Sequence, residues 1–440
     1  MSIQKKVLDI YSFIKENVYL CRDDVSVSGV RLNSTLLFGL LTALNGGKDL
    51  IYGEYGLGKT TSSENIISLV YGFPKEVVIA TELKGNPEQT EEKIVGRPNL
   101  GMLNQGREEV IWSYFVLMGP KIIDELNRLT SSKQNVLLEG VDRGMWKYLN
   151  DLLENPSLSV FSTANYADAG NYEIIPPLLD RFDIAVESKH PGINNLRLLD
   201  FVVDQNLLVD KEISGKMMDL MDNEKDFSRL NAQLNSLRAA YRDRIGQKIS
   251  LDLLTDEEII QAKNEIGALR KMQSMDALLF NDMSMSELTT CQTFGQKRSN
   301  ESCKDSCHYK DYLCSKVINC LSVRTNNSLK KYSAALAWLL GSPEVTSEHL
   351  AFVLPYAVWH KINFKKDYLE QFQEEERGPD GDPLPLYVAK KSVEDLKKRF
   401  SKNKSIQERM VKGIYENHSE LVKEILSKSD HPVFREYVKS

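Results

Sequence analysis

The sequence predicts an α/β protein with a three-layer αβα core around a parallel sheet, followed by a helical domain and a C-terminal helical tail. Three observations predict this fold class. A glycine-rich turn lies between a short apolar run and a helix. Two later apolar runs end in acidic or amide side chains. After Pro191 the chain reads as amphipathic helices with charged outer faces.

Length and composition set the broad class of protein. The 440 residues are too many for one hydrophobic core, so two or three domains are expected. The hydrophobic share of 42% and the charged share of 27% are typical of soluble globular proteins. The net charge of −6 argues weakly against a protein whose main role is to coat nucleic acid. Apolar runs fall short of the roughly 18 residues that cross a bilayer, and no signal peptide is recognised, so we expect a cytoplasmic location.

The glycine-rich turn carries the clearest chemical signal. Its pattern, G-x-x-x-x-G-K-T between a strand and a helix, is that of the phosphate-binding loop of nucleotide hydrolases. Glycines let backbone N–H groups curl round a polyanion, and the helix directs its positive end at the phosphates. We predict that Lys59 contacts the β- and γ-phosphates and that Thr60 binds Mg²⁺. The residues of the predicted loop are Gly53, Glu54, Tyr55, Gly56, Leu57, Gly58, Lys59, Thr60 and Thr61.

Two later apolar runs end in side chains suited to nucleotide hydrolysis. The run from Lys121 reads as a strand that places Asp124 at its carboxyl end, where ligands bind in α/β sheets. There Asp124 can hold the hydration shell of Mg²⁺, and Glu125 can take a proton from an attacking water. A further strand ends in Asn165, an amide that can orient water without competing as a base.

Taken together, these runs resemble the AAA+ ATPases, and within them the MoxR branch. The resemblance is close over about residues 30–190 and looser over 190–360, and it rests on GEYGLGKTT, IIDELNRLTSSKQNVLLEG, FSTAN and LLDRFDI. It implies that Asp124 and Glu125 are the Walker B pair, that Asn165 is sensor 1, and that Arg181 reaches the nucleotide of the next subunit. Because such a site is incomplete in a monomer, we expect a homo-oligomeric ring, a hexamer by resemblance.

The resemblance extends into the second half of the chain, which it identifies as a helical lid. Relatives carry a small residue, proline and arginine near the end of the lid, and here Arg324 follows Val323 at that place. Arg324 is therefore expected to contact the γ-phosphate as sensor 2. Tyr166 likewise replaces the proline that often follows the sensor asparagine. Members of this branch remodel or mature protein clients, commonly with a von Willebrand A-type partner, and the resemblance implies this function.

Two other classes of function stay open at this stage. A DNA-acting motor, of the helicase or restriction-translocase kind, would need basic pore loops and would bind DNA in a strongly salt-dependent way. A nucleotide switch or scaffold that does not hydrolyse ATP is the other class. The presence of Asp124, Glu125, Asn165 and Arg181 argues against it.

A polar segment at about residues 285–320 interrupts the family pattern and contains five of the 6 cysteines. A polar loop has no core in which to bury thiols, so we predict that four of them hold a zinc ion or an iron–sulfur cluster. The spacing is not the paired C-x₂-C of common zinc ribbons, so reduced structural cysteines or a redox-sensitive pair are alternatives. The predicted metal ligands are Cys291, Cys303, Cys307 and Cys314.

The same patterns predict the organisation of the chain. We expect an N-terminal helix and loop over 1–30, an αβα core over 31–190, a lid over 191–360, a linker over 361–387 and a helical tail over 388–440. The tail is amphipathic, and it either packs on the chain's own ring domain or forms a partner-binding arm. Local predictions include a second strand at Val77–Ala80, a strand or hairpin at Val110–Leu117 and a helix at Leu196–Leu207.

Overall fold

The computed structural model describes residues 1–166, 170–204, 206–289, 312–372 and 381–439. The chain forms two compact units, Met1–Glu265 and Ile266–Ser440. Across the described ranges, no helix combines the length and the apolar character needed to cross a bilayer. The strands of the first unit are β1 Val25–Val27, β2 Val30–Leu32, β3 Lys48–Tyr52, β4 Leu83–Lys84, β5 Gly96–Pro98, β6 Val110–Trp112, β7 Pro120–Asp124, β8 Met145–Tyr148, β9 Asp151–Glu154, β10 Ser159–Ala164 and β11 Ile184–Glu187.

Helices surround these strands, together with a π-helical turn at Ile14–Val18 and a 3₁₀ turn at Leu126–Arg128. Their bounds are α1 Ile3–Phe13, α2 Ser34–Asn45, α3 Lys59–Tyr71, α4 Lys75–Ala80, α5 Glu91–Ile94, α6 Leu100–Leu103, α7 Tyr114–Leu117, α8 Ser131–Arg143, α9 Pro176–Leu179, α10 Ile193–Leu196, α11 Leu199–Val202, α12 Lys211–Asn223, α13 Phe227–Ile249 and α14 Asp256–Leu269.

The centre of the first unit is a parallel sheet with the strand order β11-β3-β10-β7-β4. Strand β10 pairs with β3 on one side and with β7 on the other. Helices α2 and α3 pack against this sheet, and β10 is buried along its whole length. Because parallel strands end at the same edge, the loops that follow β3, β7 and β10 meet there. The predicted parallel αβα core is confirmed.

The predicted second strand at Val77–Ala80 is wrong, because these residues form most of α4. Pro74 precedes this helix, and its fixed φ and missing N–H suit a helix start. The strand that joins the sheet is β4, Leu83–Lys84, which pairs with β7. Two residues are too few to show the alternation of apolar and polar side chains by which a strand is recognised.

Three other local predictions need correction. The N-terminal region is not one helix followed by a loop, because the π-helical turn extends α1 and a β1–β2 hairpin follows. Ser28 and Gly29 both have positive φ in that hairpin, as a tight turn between short strands requires. The predicted helix at Leu196–Leu207 is replaced by the short helices α10 and α11. At Val110–Leu117, β6 forms a hairpin with β5, and the chain then continues as helix α7.

The second unit is helical in its described residues. Helix α20 packs against α15 and α18, and α22 packs against α15, so the described C-terminal helices belong to the same unit as the helices before them. The bounds are α15 Met275–Leu288, α16 Leu313–Lys316, α17 Val323–Leu339, α18 Ser347–Val358, α19 Lys366–Glu370, α20 Leu384–Tyr415, α21 Ser419–Lys428 and α22 Pro432–Lys439.

A fully buried carboxylate, Glu287 near the end of α15, joins four segments of this unit. It accepts hydrogen bonds from Leu313 N at 2.7 Å and from Arg399 Nη2 at 2.9 Å, and its Oε1 lies 2.9 Å from His431 Nε2. Burial alone would raise the pKa of Glu287, but His431 and Arg399 outweigh it and the pKa is lowered. A buried carboxylate with this many partners fixes the helices around it.

Candidate active site

The predicted phosphate loop follows β3, and its last three residues, Lys59, Thr60 and Thr61, form the start of α3. Gly56 and Gly58 adopt the left-handed conformation, with φ of 73° and 72°, which glycine reaches without steric cost. Lys59 is buried, and its Nζ donates to Gly53 O, Glu54 O and Asn165 Oδ1, each at 2.8 Å. Burial lowers the pKa of Lys59, and neighbouring carboxylates oppose that shift. The lysine therefore ties the loop to the end of β10.

The second predicted residue pair also comes together. Thr60 Oγ1 donates to Asp124 Oδ1 at 2.6 Å, which joins the first turn of α3 to the end of β7. Thr163 Oγ1 donates to the same carboxylate oxygen at 2.7 Å. A hydroxyl and a carboxylate side by side are the oxygen ligands that Mg²⁺ takes in proteins. The residues present therefore fit a magnesium ion held by Thr60 and Asp124.

Glu125 lies at the next position and has an unusual backbone. Its φ and ψ are both 50°, a left-handed conformation that non-glycine residues seldom adopt. Its N–H donates to Thr163 Oγ1 at 2.8 Å, its Oε1 accepts from Asn165 Nδ2 at 3.0 Å, and its Oε2 lies 3.1 Å from Arg128 Nε. This conformation directs the Glu125 side chain towards Asn165, while Asp124 accepts the hydrogen bond from Thr60. Arg128 thus forms an ion pair with the predicted base.

Two residues that position this pair were missed by the sequence reasoning. Thr163 accepts from the Glu125 backbone and donates to Asp124, so one hydroxyl aligns both acids. Asn127 donates to Asn165 O at 2.9 Å and accepts from Asn165 N at 3.3 Å, which holds the backbone of the predicted sensor. Both residues lie inside runs that carry the family resemblance. The signal that could have identified them is a polar side chain near the end of a strand, for Thr163, and a polar side chain in a turn, for Asn127.

Tyr166, at the position where members of the resembled branch often carry proline, has a structural explanation. Tyr166 Oη donates to Glu187 Oε1 at 2.5 Å, and its ring stacks on Tyr52 with the centroids 6.1 Å apart. Tyr52 immediately precedes the phosphate loop and Tyr166 immediately follows Asn165. The stacked rings therefore hold the ends of β3 and β10 together, and Asn165 keeps its place without the proline.

A further carboxyl group lies close to the predicted magnesium ligand. Burial raises the pKa of Glu82 to about 9, and the carboxylates of Glu64 and Asp124 add to the shift. Glu82 immediately precedes β4, whose Lys84 pairs with Asp124 in the sheet. Burial and the neighbouring carboxylates thus favour the neutral form of Glu82, which carries no negative charge beside Asp124.

Arg181 belongs to a different group of residues within one chain. Its Nη1 donates to Pro177 O at 2.6 Å, and its Nε lies 3.5 Å from Asp142 Oδ2 on α8. At the sheet edge, by contrast, Lys59 contacts Asn165, and Asp124 contacts Thr60 and Thr163. The structure thus brings together the predicted loop, Walker B and sensor 1 residues, and gives Arg181 separate partners.

The structure describes only some of the site residues that were predicted in the second unit. Arg324 is exposed and is the second residue of α17, and its predicted role as sensor 2 stays a prediction. Cys291, Cys303 and Cys307 lie outside the described residues, whereas Cys314 is half-buried in α16. The described part of the chain contains no group of three or more His, Cys, Asp or Glu side chains that could hold a metal ion.

Comparisons with known proteins bear on the fold. No protein-family model matches the sequence, and no curated protein matches it. Among solved structures, the chain is similar to a "putative ATPase" from Cytophaga hutchinsonii ATCC 33406, with a TM-score of 0.53 over 84% of this chain and 90% of that one. The two sequences are 16% identical, so the similarity is one of fold. It agrees with the predicted class, an α/β core with a parallel sheet, a helical part and C-terminal helices.

Proposed function

We propose that this protein is a Mg²⁺-dependent ATPase of the AAA+ type, as its resemblance to the MoxR branch implies. The observation that carries the proposal is the position of Asn165, which accepts from Lys59 Nζ at 2.8 Å and donates to Glu125 Oε1 at 3.0 Å. One amide thereby connects the predicted phosphate-binding lysine with the predicted general base. A nucleotide site that only bound its ligand would not need this carboxylate next to the sensor. Thr60 and Asp124 would hold the magnesium ion, which neutralises charge on the phosphates.

The site also supports assembly into a ring. A phosphoryl group in transfer needs a delocalised cation near its equatorial oxygens, and arginine supplies one. Because Arg181 contacts Asp142 and Pro177 within its own chain, we infer that it completes the site of a neighbouring subunit. The working unit would then be a homo-oligomer, a hexamer by resemblance. Nucleotide-dependent changes in this ring would remodel or mature a protein client in the cytoplasm, with a von Willebrand A-type protein as the expected partner.

Replacing Lys59 by alanine tests the proposed function directly. The variant should bind ATP about 100-fold more weakly and lose turnover, because the ammonium group is the cation that the loop offers to the phosphates. Nucleotide affinity and Mg²⁺-dependent phosphate release are the measurements. Lys216→Ala is the matched control, since this lysine is exposed on α12 and forms a surface ion pair with Glu212 one turn away. Wild-type protein that neither binds nor hydrolyses ATP would refute the proposal.

The metal site at the lid cysteines is a separate prediction. We expect about one zinc ion per chain, or an iron–sulfur cluster, bound through Cys291, Cys303, Cys307 and Cys314. Metal analysis of protein purified with and without air distinguishes the two, because iron–sulfur clusters are lost or damaged in air. Cys303→Ser should lower the metal content, and Cys21→Ser, a change at a buried cysteine of the first unit, should not. Protein free of both metals in both preparations would contradict the prediction.

A further inference from the structure

Tyr19 connects the N-terminal region with the phosphate loop. It directly follows the π-helical turn, and its side chain is buried. Its Oη lies 3.0 Å from Ser188 Oγ and 3.5 Å from Leu57 O, and its ring packs against Gly58. Ser188 itself directly follows β11. Three distant parts of the chain therefore meet at the loop, and single π-helical turns occur frequently at functional sites.

The hydrogen bonds among these residues have a defined direction. Ser188 Oγ lies 2.8 Å from Leu57 O, and a carbonyl oxygen only accepts, so the serine proton is donated there. A hydroxyl has one proton, and Tyr19 is therefore the donor in its contact with Ser188. Burial raises the pKa of Tyr19, which keeps this donor protonated at physiological pH. We refer to Tyr19 and Ser188 as the loop clamp.

Two glycines of the phosphate loop lie very close to the loop clamp. A Cβ atom on Gly58 would lie 2.7 Å from Tyr19 Cε2, and one on Gly53 would lie 2.7 Å from Ser188 O. Both distances are shorter than real Cβ contacts, so no side chain fits at either position without a shift. Glycine at these places thus serves the packing of the loop clamp as well as the approach of a phosphate.

The clamp acts on one peptide group. The carbonyl of Leu57 and the N–H of Gly58 belong to the same planar trans peptide, so they point in opposite directions. Holding Leu57 O against Ser188 therefore turns the Gly58 N–H away from the clamp. A loop that is already ordered in its binding conformation loses less conformational entropy when the ligand binds.

We propose that Tyr19 and Ser188 are positioning residues that hold the Leu57–Gly58 peptide so that the Gly58 N–H is presented to the phosphates of the nucleotide. This proposal rests on the ATPase function proposed above. The two hydroxyls act through the backbone of the loop and touch no substrate atom. Their loss should therefore weaken nucleotide binding more than it slows the chemical step.

Removing one hydroxyl at a time tests the loop clamp. Tyr19→Phe and Ser188→Ala should each raise the KM and the Kd for ATP about fivefold to tenfold, with kcat within about twofold, because each breaks one buried hydrogen-bond chain. The double variant should resemble either single variant, since both interrupt the same chain. Tyr71→Phe is the control, because it removes another fully buried tyrosine hydroxyl, one bonded to Ala43 O at 2.7 Å. It should lower the Tm comparably and leave KM unchanged.

These experiments distinguish a failure of the loop-clamp proposal from a failure of the proposed ATPase function. If the wild type is active and both Tyr19→Phe and Tyr71→Phe have the same KM as the wild type, the loop-clamp proposal is wrong and the proposed ATPase function stands. A fall in kcat at unchanged KM in Tyr19→Phe would contradict the loop-clamp proposal in the same way. Absence of ATP binding in the wild type would overturn the proposed function first. If Tyr19→Phe does not fold, Ser188→Ala and Ser188→Thr carry the test. Alanine should raise KM and threonine, which keeps the hydroxyl, should restore it; equal KM values for the two would refute the clamp.

Discussion

Glu125→Gln is expected to lower kcat for ATP by about 10³-fold while ATP affinity changes by less than about threefold. Glutamine has nearly the shape of glutamate and can still accept the hydrogen bond from Asn165 Nδ2, so the site keeps its geometry. It cannot take a proton from water, so the hydrolytic step loses its base. Steady-state phosphate release and binding of a fluorescent ATP analogue measure the two quantities separately. Turnover close to that of the wild type would rule out Glu125 as the base.

The control for this variant is Glu139→Gln, which makes the same chemical change at an exposed glutamate on α8. It should behave as the wild type in both assays. The Glu125→Gln protein also offers a way to identify the client, because a ring that holds ATP without cleaving it should retain bound partners. Proteins that co-purify with it in an ATP-dependent manner would support remodelling of a protein. Salt-sensitive retention of DNA would favour the DNA-acting alternative instead.

Arg181→Ala should also reduce kcat about 10³-fold with little change in ATP binding, because an arginine finger acts mainly on the transition state. The decisive measurement is a mixture with Lys59→Ala. Neither variant alone has a complete site, but an Arg181→Ala subunit can receive the arginine of a Lys59→Ala neighbour. Random mixing at equal amounts would make about a quarter of the interfaces complete, so part of the activity should return.

A structural explanation for the Arg181 effect is tested by Asp142→Asn. This change weakens the ion pair that Arg181 forms within its own chain and keeps the guanidinium. Its turnover should stay near that of the wild type, whereas a loss as large as that of Arg181→Ala would indicate a local structural role. Failure to regain activity at any mixing ratio would count against a site shared between subunits.

The sequence predicted the positions of site residues where a residue type in its local pattern has one clear chemical role. The glycine loop, Asp124, Glu125 and Asn165 were placed correctly at one sheet edge, because buried strands that end in polar residues are typical of parallel sheets. Thr163 was missed because a threonine near a strand end is ordinary in composition. Its role depends on the pairing of β10 with β7, and the sequence pattern within β10 does not reveal which strand lies beside it.

Elements whose structure depends on tertiary contacts were predicted less well. Val77–Ala80 has the β-branched residues of a strand, yet it forms α4, because Pro74 starts a helix and the sheet takes Leu83–Lys84 instead. The contact between Tyr19 and the loop joins positions 38 residues apart or more, and no periodic pattern indicates it. The conformation of Glu125, with φ of 50°, was equally hidden, since it follows from the hydrogen bonds to Thr163 and Asn165.

The carboxylate of Glu287 has a consequence for engineering. Leu313 N donates to Glu287 at 2.7 Å, and Arg399 and His431 contact the same carboxylate. Removing one partner of a buried ion pair leaves a charge without compensation, which is strongly destabilising. A redesigned or shortened C-terminal segment should therefore keep Arg399 and His431, or replace Glu287 together with them.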